Sequence, residues 1–182
     1  YLILILKLLK IVGCGFDVVS GGEMHRALSI GADPKSIIFS GVGKSSDEIK
    51  QGILNKILSF NVESVSELYK IEAIAKKLQM NASVSIRFNP DIDSGGHDYI
   101  TTGRKGDKFG ISSIEDILNL STYISESPNL NMVGLACHIG SQIINLESYK
   151  ETAQRTFELA DQISSLGVEL EFLDLGGGLG VS

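Results

Sequence analysis

The sequence is poor in the residues that build metal centres and disulfide frameworks. Its 182 residues include two cysteines, three histidines and no tryptophan. Cys14 and Cys137 are isolated in apolar surroundings, which predicts free thiols and a reducing, cytoplasmic environment. His25, His97 and His138 form no Cys/His pair at zinc-ligand spacing, so we predict no metal site.

The sequence also lacks a long apolar run and a positive charge balance. The longest apolar stretch, Leu2 to Val12, is interrupted by Lys7 and Lys10 and is too short to span a bilayer. It has no small-residue cleavage site of the kind that ends a signal peptide. The net charge of −6 argues against nucleic acid or an anionic membrane as partner. The hydrophobic content of 43% is that of an ordinary globular domain.

Short apolar strands alternate with helices along the whole chain. The predicted strands are residues 16–20, 36–40, 57–62, 84–88, 132–138 and 169–175. The predicted helices are residues 2–12, 23–30, 45–54, 64–78, 113–125 and 146–166. This alternation favours a parallel sheet covered by helices, either a (β/α)₈ barrel or a doubly wound sheet. We expect one domain over residues 1–182, with about six βα units and therefore two fewer than a complete barrel.

Polar residues follow the strands at their carboxyl ends. They are Asp17, Ser20, Ser40, Asn61, Glu63, Arg87, Asn89, His138, Ser141 and Asp174. In a barrel these ends converge on one mouth, where active sites are built. Asp17 and Arg87 carry charge on otherwise apolar strands, so each needs a partner, either the other residue or a ligand. His138 alone is equally consistent with a site residue and with a core histidine next to a turn.

Two glycine-containing segments resemble anion-binding loops. Gly176, Gly177 and Gly178 follow a strand, and their amide groups suit a small phosphate-bearing ligand. Three glycines exceed what one turn with positive φ requires, although such a turn is the simpler interpretation. The dinucleotide fingerprint fails at Val181. Residues 41–45 end like a nucleotide-binding P-loop, but the first glycine of that motif would fall at Ile38, so ATP binding is not expected.

Seven segments together resemble a known family of enzymes. They are Gly15–Glu23, Phe39–Lys44, Phe60–Ser64, Arg87–Asp91, Thr101–Gly103 with Lys108–Ile111, Cys137–Gln142 and Asp174–Gly180. In this order they resemble the diaminopimelate decarboxylases, which belong to the pyridoxal-phosphate-dependent ornithine, diaminopimelate and arginine decarboxylases. The resemblance implies a partial (β/α)₈ barrel of the alanine-racemase-like class, with the family's C-terminal β domain missing from this sequence.

The resemblance also implies roles for individual residues. His138 would stack on the pyridine ring of pyridoxal 5′-phosphate, and Ser141 with Gly176, Gly177 and Gly178 would hold its phosphate. Asp17 and Arg87 would join the polar network around the cofactor, with Glu23 behind them. The implied reaction converts meso-2,6-diaminopimelate to L-lysine and CO₂, in a homodimer whose subunits share active sites near residues 97–110.

The sequence departs from the family pattern in one essential feature. The lysine that binds the cofactor in this family lies in a strand before the first helix, and no lysine of this sequence matches that motif. We therefore expect the 182-residue chain alone to be inactive as a decarboxylase. The alternatives are a related decarboxylase of ornithine, arginine or carboxynorspermidine, and a non-catalytic homologue that binds the cofactor or a partner.

Overall fold

The computed structural model of the chain describes residues 2–92 and 109–181. These residues form two compact units, residues 1–84 with 128–131 and residues 85–127 with 132–182. The predicted segments Thr101–Gly103 and His97, with Lys108, lie outside the described residues. The assignment of residues 1–182 to one partial barrel domain stays a prediction.

The first unit contains three complete βα pairs after an initial helix. Its elements are α1 (Leu2–Ile11), β1 (Phe16–Val18), α2 (Gly21–Ser29), β2 (Ile37–Phe39), α3 (Ser46–Asn55), β3 (Ser59–Val62), α4 (Val65–Leu78) and the beginning of β4 (Ala82–Arg87). A short 3₁₀ helix, Pro34–Ser36, precedes β2. Phe39 and Phe60 stack in the core with ring centroids 6.1 Å apart, and both are completely buried. Burying each such ring stabilises the fold by about 1.5–3 kcal/mol.

The second unit continues the same alternation from the end of β4. Its further elements are α5 (Ile114–Glu126), most of β5 (Leu130–Ala136), α6 (Leu146–Ser164) and β6 (Phe172–Asp174). Ile86, Leu135, Ile117, Ile124 and Ile163 are buried in its core. None of the helices in the described part of the chain is long and apolar enough to cross a membrane.

Strand neighbours follow chain order. The order is β1-β2-β3-β4-β5-β6, and the pairs β1–β2, β2–β3 and β5–β6 are parallel. A doubly wound sheet reverses its strand order at a switch point, whereas consecutive units of a (β/α)₈ barrel do not. The observed order therefore selects the barrel from the two predicted architectures, with six of its strands in the described residues.

Serine residues cap the first turns of four helices. In α2 to α5 the helix begins after a serine whose Oγ accepts a hydrogen bond from the amide three residues later; these serines are Ser20, Ser45, Ser64 and Ser113. Each such cap contributes about 1 kcal/mol to helix stability. The helix predicted over residues 64–78 begins here at Val65, with Glu67 N–H donating to Oγ of Ser64.

Candidate functional site

His138 lies two residues beyond the end of β5. It is partly buried, and Cys137 before it and Ile139 after it are buried. Gly176 packs against it so closely that a Cβ there would lie 2.7 Å from Nδ1 of His138 and 2.6 Å from the carbonyl oxygen of Cys137. Gly176 also has a positive φ of 74°. Only glycine fits this position, because any side chain would displace the imidazole.

The glycine loop, residues Gly176–Gly178, follows β6 and offers two backbone donors. The amide of Gly176 donates to Oδ1 of Asp174 at 2.8 Å. The amides of Gly177 and Gly178 donate to no atom of the described residues. Gly178 has φ 92°, and a Cβ there would lie 1.9 Å from the carbonyl oxygen of Gly140. Two unpaired N–H groups in a turn with positive φ suit an anion such as a phosphate.

Backbone hydrogen bonds join the segments that follow β5 and β6. Cys137 N–H donates to the carbonyl of Asp174 (2.8 Å), and Ile143 N–H donates to that of Gly178 (2.8 Å). Ser141 is exposed, and its Cα lies 3.2 Å from where a Cβ on Gly178 would be. The structure therefore brings His138, Ser141 and the glycine loop together, and their joint role in binding stays a prediction.

Cys137, the residue before His138, has a buried and unreactive thiol. Burial raises the pKa of its thiol to about 12, outweighing the smaller lowering effects of the Thr156 hydroxyl and the Arg87 charge. Its Sγ lies 3.7 Å from Oγ1 of Thr156. The thiol therefore stays protonated at neutral pH and is no nucleophile.

The guanidinium of Arg87 lies 5.4 Å from the centre of the Phe109 ring, a cation–π distance.

Asp17 belongs to a chain of hydrogen bonds in the first unit. Ser40 Oγ donates to Asp17 Oδ1 at 2.5 Å, and Asn61 Nδ2 donates to Ser40 Oγ at 3.0 Å. These three residues lie in or directly after the neighbouring parallel strands β1, β2 and β3, close to their carboxyl ends, which explains why their side chains meet. Pairing of Asp17 with Arg87 stays a prediction.

Lys44 occupies the position that resembles a P-loop lysine, but its ammonium group is bonded within the protein. It is 5% exposed and donates to the carbonyls of Gly41 (2.7 Å) and Asn61 (2.8 Å) and to Oε1 of Glu67 (3.1 Å). Gly41 N–H in turn donates to Oε1 of Glu63 at 3.0 Å. An ammonium that already makes these three bonds is poorly suited to hold a nucleotide phosphate.

Glu23 has a local partner in the structure. Its Oε2 accepts a hydrogen bond from the amide of Val19 at 2.8 Å, and its own amide donates to Oγ of Ser20. These reciprocal bonds form a capping arrangement at the start of α2. A role for Glu23 behind the cofactor stays a prediction.

Sequence analysis missed two residues that shape these regions. The residues around Lys44 resemble a P-loop and gave no indication that Lys44 is buried against Glu67 of α4. The sequence predicts Tyr149 in a long helix, as observed, but it does not indicate that the hydroxyl donates to the carbonyl oxygen of Gly177 at 2.9 Å. No periodic signal in the sequence marks that contact, because the two residues are 28 positions apart.

Comparison with known proteins identifies relatives over nearly the whole chain. The family model "Pyridoxal-dependent decarboxylase, pyridoxal binding domain" matches residues 2–182. The diaminopimelate decarboxylase of Neisseria meningitidis serogroup A is 45% identical over 177 residues, which cover 97% of this chain and 43% of that protein. The chain therefore spans less than half the length of that relative.

Solved structures agree with this similarity. The diaminopimelate decarboxylase of Helicobacter pylori, crystallised with L-lysine, has a TM-score of 0.95 and 45% identity, covering 98% of this chain and 45% of that one. The arginine decarboxylase of Paramecium bursaria Chlorella virus has a TM-score of 0.81 and 26% identity, covering 97% and 45%. The predicted fold class is confirmed by these matches.

Proposed function

Because this chain belongs to the pyridoxal-dependent decarboxylase family, we propose that the natural protein carrying it converts meso-2,6-diaminopimelate to L-lysine and CO₂. The observation that carries the proposal is the sequence identity of 45% to a diaminopimelate decarboxylase, compared with 26% to an arginine decarboxylase of the same fold. A difference of this size favours the first substrate, since both relatives match nearly all of the chain.

The family's cofactor is pyridoxal phosphate, and the residues of the second unit fit it. Gly178 packs so closely against the carbonyl of Gly140 that no side chain fits, and this packing fixes the turn in which the amides of Gly177 and Gly178 are unpaired and suited to a phosphate. Ser141 adds a hydroxyl at the same loop, and His138 supplies a flat ring beside Gly176. These residues support binding at the phosphate and at the ring face, respectively. Gly176 has a lesser part than the sequence suggested, because its amide is already bonded to Asp174.

The cofactor supplies an electron sink for the pair of electrons released when the carboxylate leaves as CO₂. The chain's own residues bind and orient. The backbone amides of Gly177 and Gly178 hold negative charge without a counter-charge that could titrate. His138 would orient the ring through contact with its face. Arg87, in the same unit as the glycine loop, provides positive charge, and roles for Asp17 and Glu23 at the cofactor stay predictions.

The test is a substrate comparison with the natural protein that carries this sequence. Purified protein with pyridoxal phosphate is given meso-diaminopimelate, L-ornithine, L-arginine or carboxynorspermidine, and CO₂ release and the amine product are measured. We expect CO₂ and L-lysine from meso-diaminopimelate, with kcat/KM at least about tenfold above that for the others, as side-chain discrimination allows. A preference for another substrate would assign the protein to a neighbouring activity.

The second candidate is a non-catalytic homologue that binds the cofactor. It predicts cofactor binding by the natural protein without CO₂ release from any of the four substrates.

We further propose that the natural protein is a homodimer located in the cytoplasm, with no nucleic acid partner. Light scattering of the purified protein tests the dimer, and a monomer at micromolar concentration would contradict it.

A further inference from the structure

Tyr149 lies in the first turn of α6 and reaches the glycine loop. Its hydroxyl donates to the carbonyl oxygen of Gly177 at 2.9 Å. Its ring packs against a buried cluster formed by Ile92, Ile139 and Ile143. Packing holds the ring, and burial raises the pKa of Tyr149 above its ordinary value of 10.0, so the hydroxyl keeps the proton that it donates.

The Gly177 carbonyl has this one anchor among the described residues. Gly178 is fixed separately, because its carbonyl accepts from Ile143 N–H and its α-carbon lies against Gly140. Gly177 is exposed, and a Cβ added there would meet nothing within 4 Å. A glycine peptide in open space rotates with little steric resistance. The hydroxyl of Tyr149 therefore restricts the part of the loop that packing leaves loose.

Fixing this carbonyl also fixes the next amide. In a trans peptide the C=O of one residue and the N–H of the next point to opposite sides of the plane, and the described chain contains no cis peptide. With the Gly177 carbonyl held toward Tyr149, the Gly178 N–H is held on the opposite side. That N–H is one of the two unpaired donors of the glycine loop.

We propose that Tyr149 is a positioning residue, whose hydroxyl orients the Gly177–Gly178 peptide so that the Gly178 N–H is preorganised for the phosphate of the cofactor. The inference rests on the proposed function because it requires a phosphate at the glycine loop. A donor that is oriented before binding spares the ligand the cost of ordering it. Tyr149 touches neither the cofactor ring nor the substrate in this role.

The effect of the Tyr149 hydroxyl on phosphate binding can be tested separately from the packing of its ring. Replacement by phenylalanine keeps the ring and its packing on the isoleucine cluster and removes the hydroxyl alone. Loss of one ordinary hydrogen bond corresponds to about a threefold to tenfold change in a dissociation constant. That change should appear for pyridoxal phosphate and not for pyridoxal, which has the same ring and no phosphate.

The experiment uses the natural protein that carries this sequence, freed of cofactor, as wild type, Tyr149→Phe and Tyr123→Phe. Tyr123, on α5 and 37% exposed, is the matched control in the same unit. Each form is titrated with pyridoxal phosphate and with pyridoxal by fluorescence, and the ³¹P resonance of the bound phosphate is recorded. We expect Tyr149→Phe to lower the preference for pyridoxal phosphate over pyridoxal about threefold to tenfold and to move the ³¹P line. Tyr123→Phe should change neither.

The possible results separate a failure of the phosphate site from a failure of the role of Tyr149. A wild-type protein with no preference for pyridoxal phosphate would overturn the phosphate site itself, and the proposed function with it. A normal wild-type preference that persists in Tyr149→Phe would overturn only the role of Tyr149. Equal weakening of both ligands, with an unmoved ³¹P line, would show a general packing role and would also overturn the inference.

Discussion

The two units use opposite means to arrange polar groups at the ends of their strands. The first unit has a strand-end cluster of side chains, formed by Asp17, Ser40, Lys44, Asn61, Glu63 and Glu67, whose members bond one another. The second unit has the glycine loop, which presents backbone amides and leaves two of them unpaired. A saturated network stabilises the fold, whereas unpaired donors in an open turn are available to a ligand. In the proposed function, the paired side chains of the first unit therefore stabilise the fold, and the unpaired amides of the glycine loop are the groups available to the cofactor.

The largest effect should come from breaking the strand-end cluster at Lys44. Lys44→Met leaves the carboxylate of Glu67, which is 10% exposed, without its ion pair, and it leaves the carbonyls of Gly41 and Asn61 without this donor. Removing one partner of a buried ion pair costs about 3–5 kcal/mol in free energy of unfolding. Urea-induced unfolding measures the loss. The control Lys77→Met, at an exposed position of α4, should change the free energy by less than about 0.5 kcal/mol, and equal losses would show that the pair is not what stabilises this region.

The next effect concerns the glycine loop and should appear in binding. Gly178→Ala places a Cβ against the carbonyl oxygen of Gly140 at a residue with φ 92°, so the loop must move away from Ser141. We expect the affinity for pyridoxal phosphate to fall roughly 100-fold, equivalent to about 2.7 kcal/mol. Fluorescence titration of the cofactor-free natural protein measures it. Gly177→Ala is the matched control, because a Cβ there has open space; similar losses in both variants would mean that close packing at Gly178 does not fix the turn.

A smaller effect is expected from Glu48, which joins two helix starts in the first unit. Its carboxylate accepts hydrogen bonds from Gly21 N–H (2.7 Å) and from the N–H and hydroxyl of Ser45 (2.9 and 2.8 Å). These bonds, that of Gly21 first, hold the pKa of Glu48 below its ordinary value of 4.5. The stabilisation is therefore complete above the unfolded pKa and is lost as the pH falls through the lower folded value.

Glu48→Gln should lower the free energy of unfolding at pH 7 by about 1 kcal/mol, the size of a helix cap. The difference from wild type should shrink below pH 4.5. Urea unfolding at a series of pH values measures both. Asp47→Asn, one residue earlier in α3, serves as control, because Asp47 accepts no hydrogen bond in the described part of the chain. A difference for Glu48→Gln that is independent of pH would contradict the role of its charge.

The smallest effect compares the two thiols. Cys14 is exposed, contrary to the apolar setting that its neighbours suggested, and Cys137 is buried with a pKa of about 12. Iodoacetamide at pH 8 should modify Cys14 and leave Cys137 unmodified in the folded protein, and mass spectrometry of tryptic peptides measures the ratio. Unfolding in urea should make both thiols react. Rapid labelling of Cys137 in the native protein would show that the core around this thiol opens.

Much of the fold could be predicted because its signals are local. The apolar run before Cys137 and the serine at position 64 predicted β5 and the start of α4 within two residues. Boundaries were less accurate where strands are short: the sixth strand was predicted from Glu169 to Leu175, and it extends only from Phe172 to Asp174. Strand ends depend on which backbone groups find partners on the neighbouring strand, and hydrophobicity does not report that.

The proposed site was predictable in part for the same reason. His138 and the glycine loop each follow an apolar strand, so chain order alone places them at strand ends. The anchor of the loop could not be foreseen, since Tyr149 lies in a helix whose periodicity indicates only packing. The pairing of the Gly176 amide with Asp174 was also hidden, because it depends on the conformation of the turn.

The sequence by itself determined the alternation of strands and helices, the family resemblance and the positions of the candidate residues, because these depend on side-chain type and spacing. Tertiary structure alone decided which polar groups are already paired. Lys44 is a buried cation paired with Glu67, and the amide of Gly176 is bonded to Asp174. The amides of Gly177 and Gly178 are unpaired among the described residues. Hydrogen bonding depends on distances of about 3 Å between atoms far apart in the chain, and only the folded backbone sets those distances.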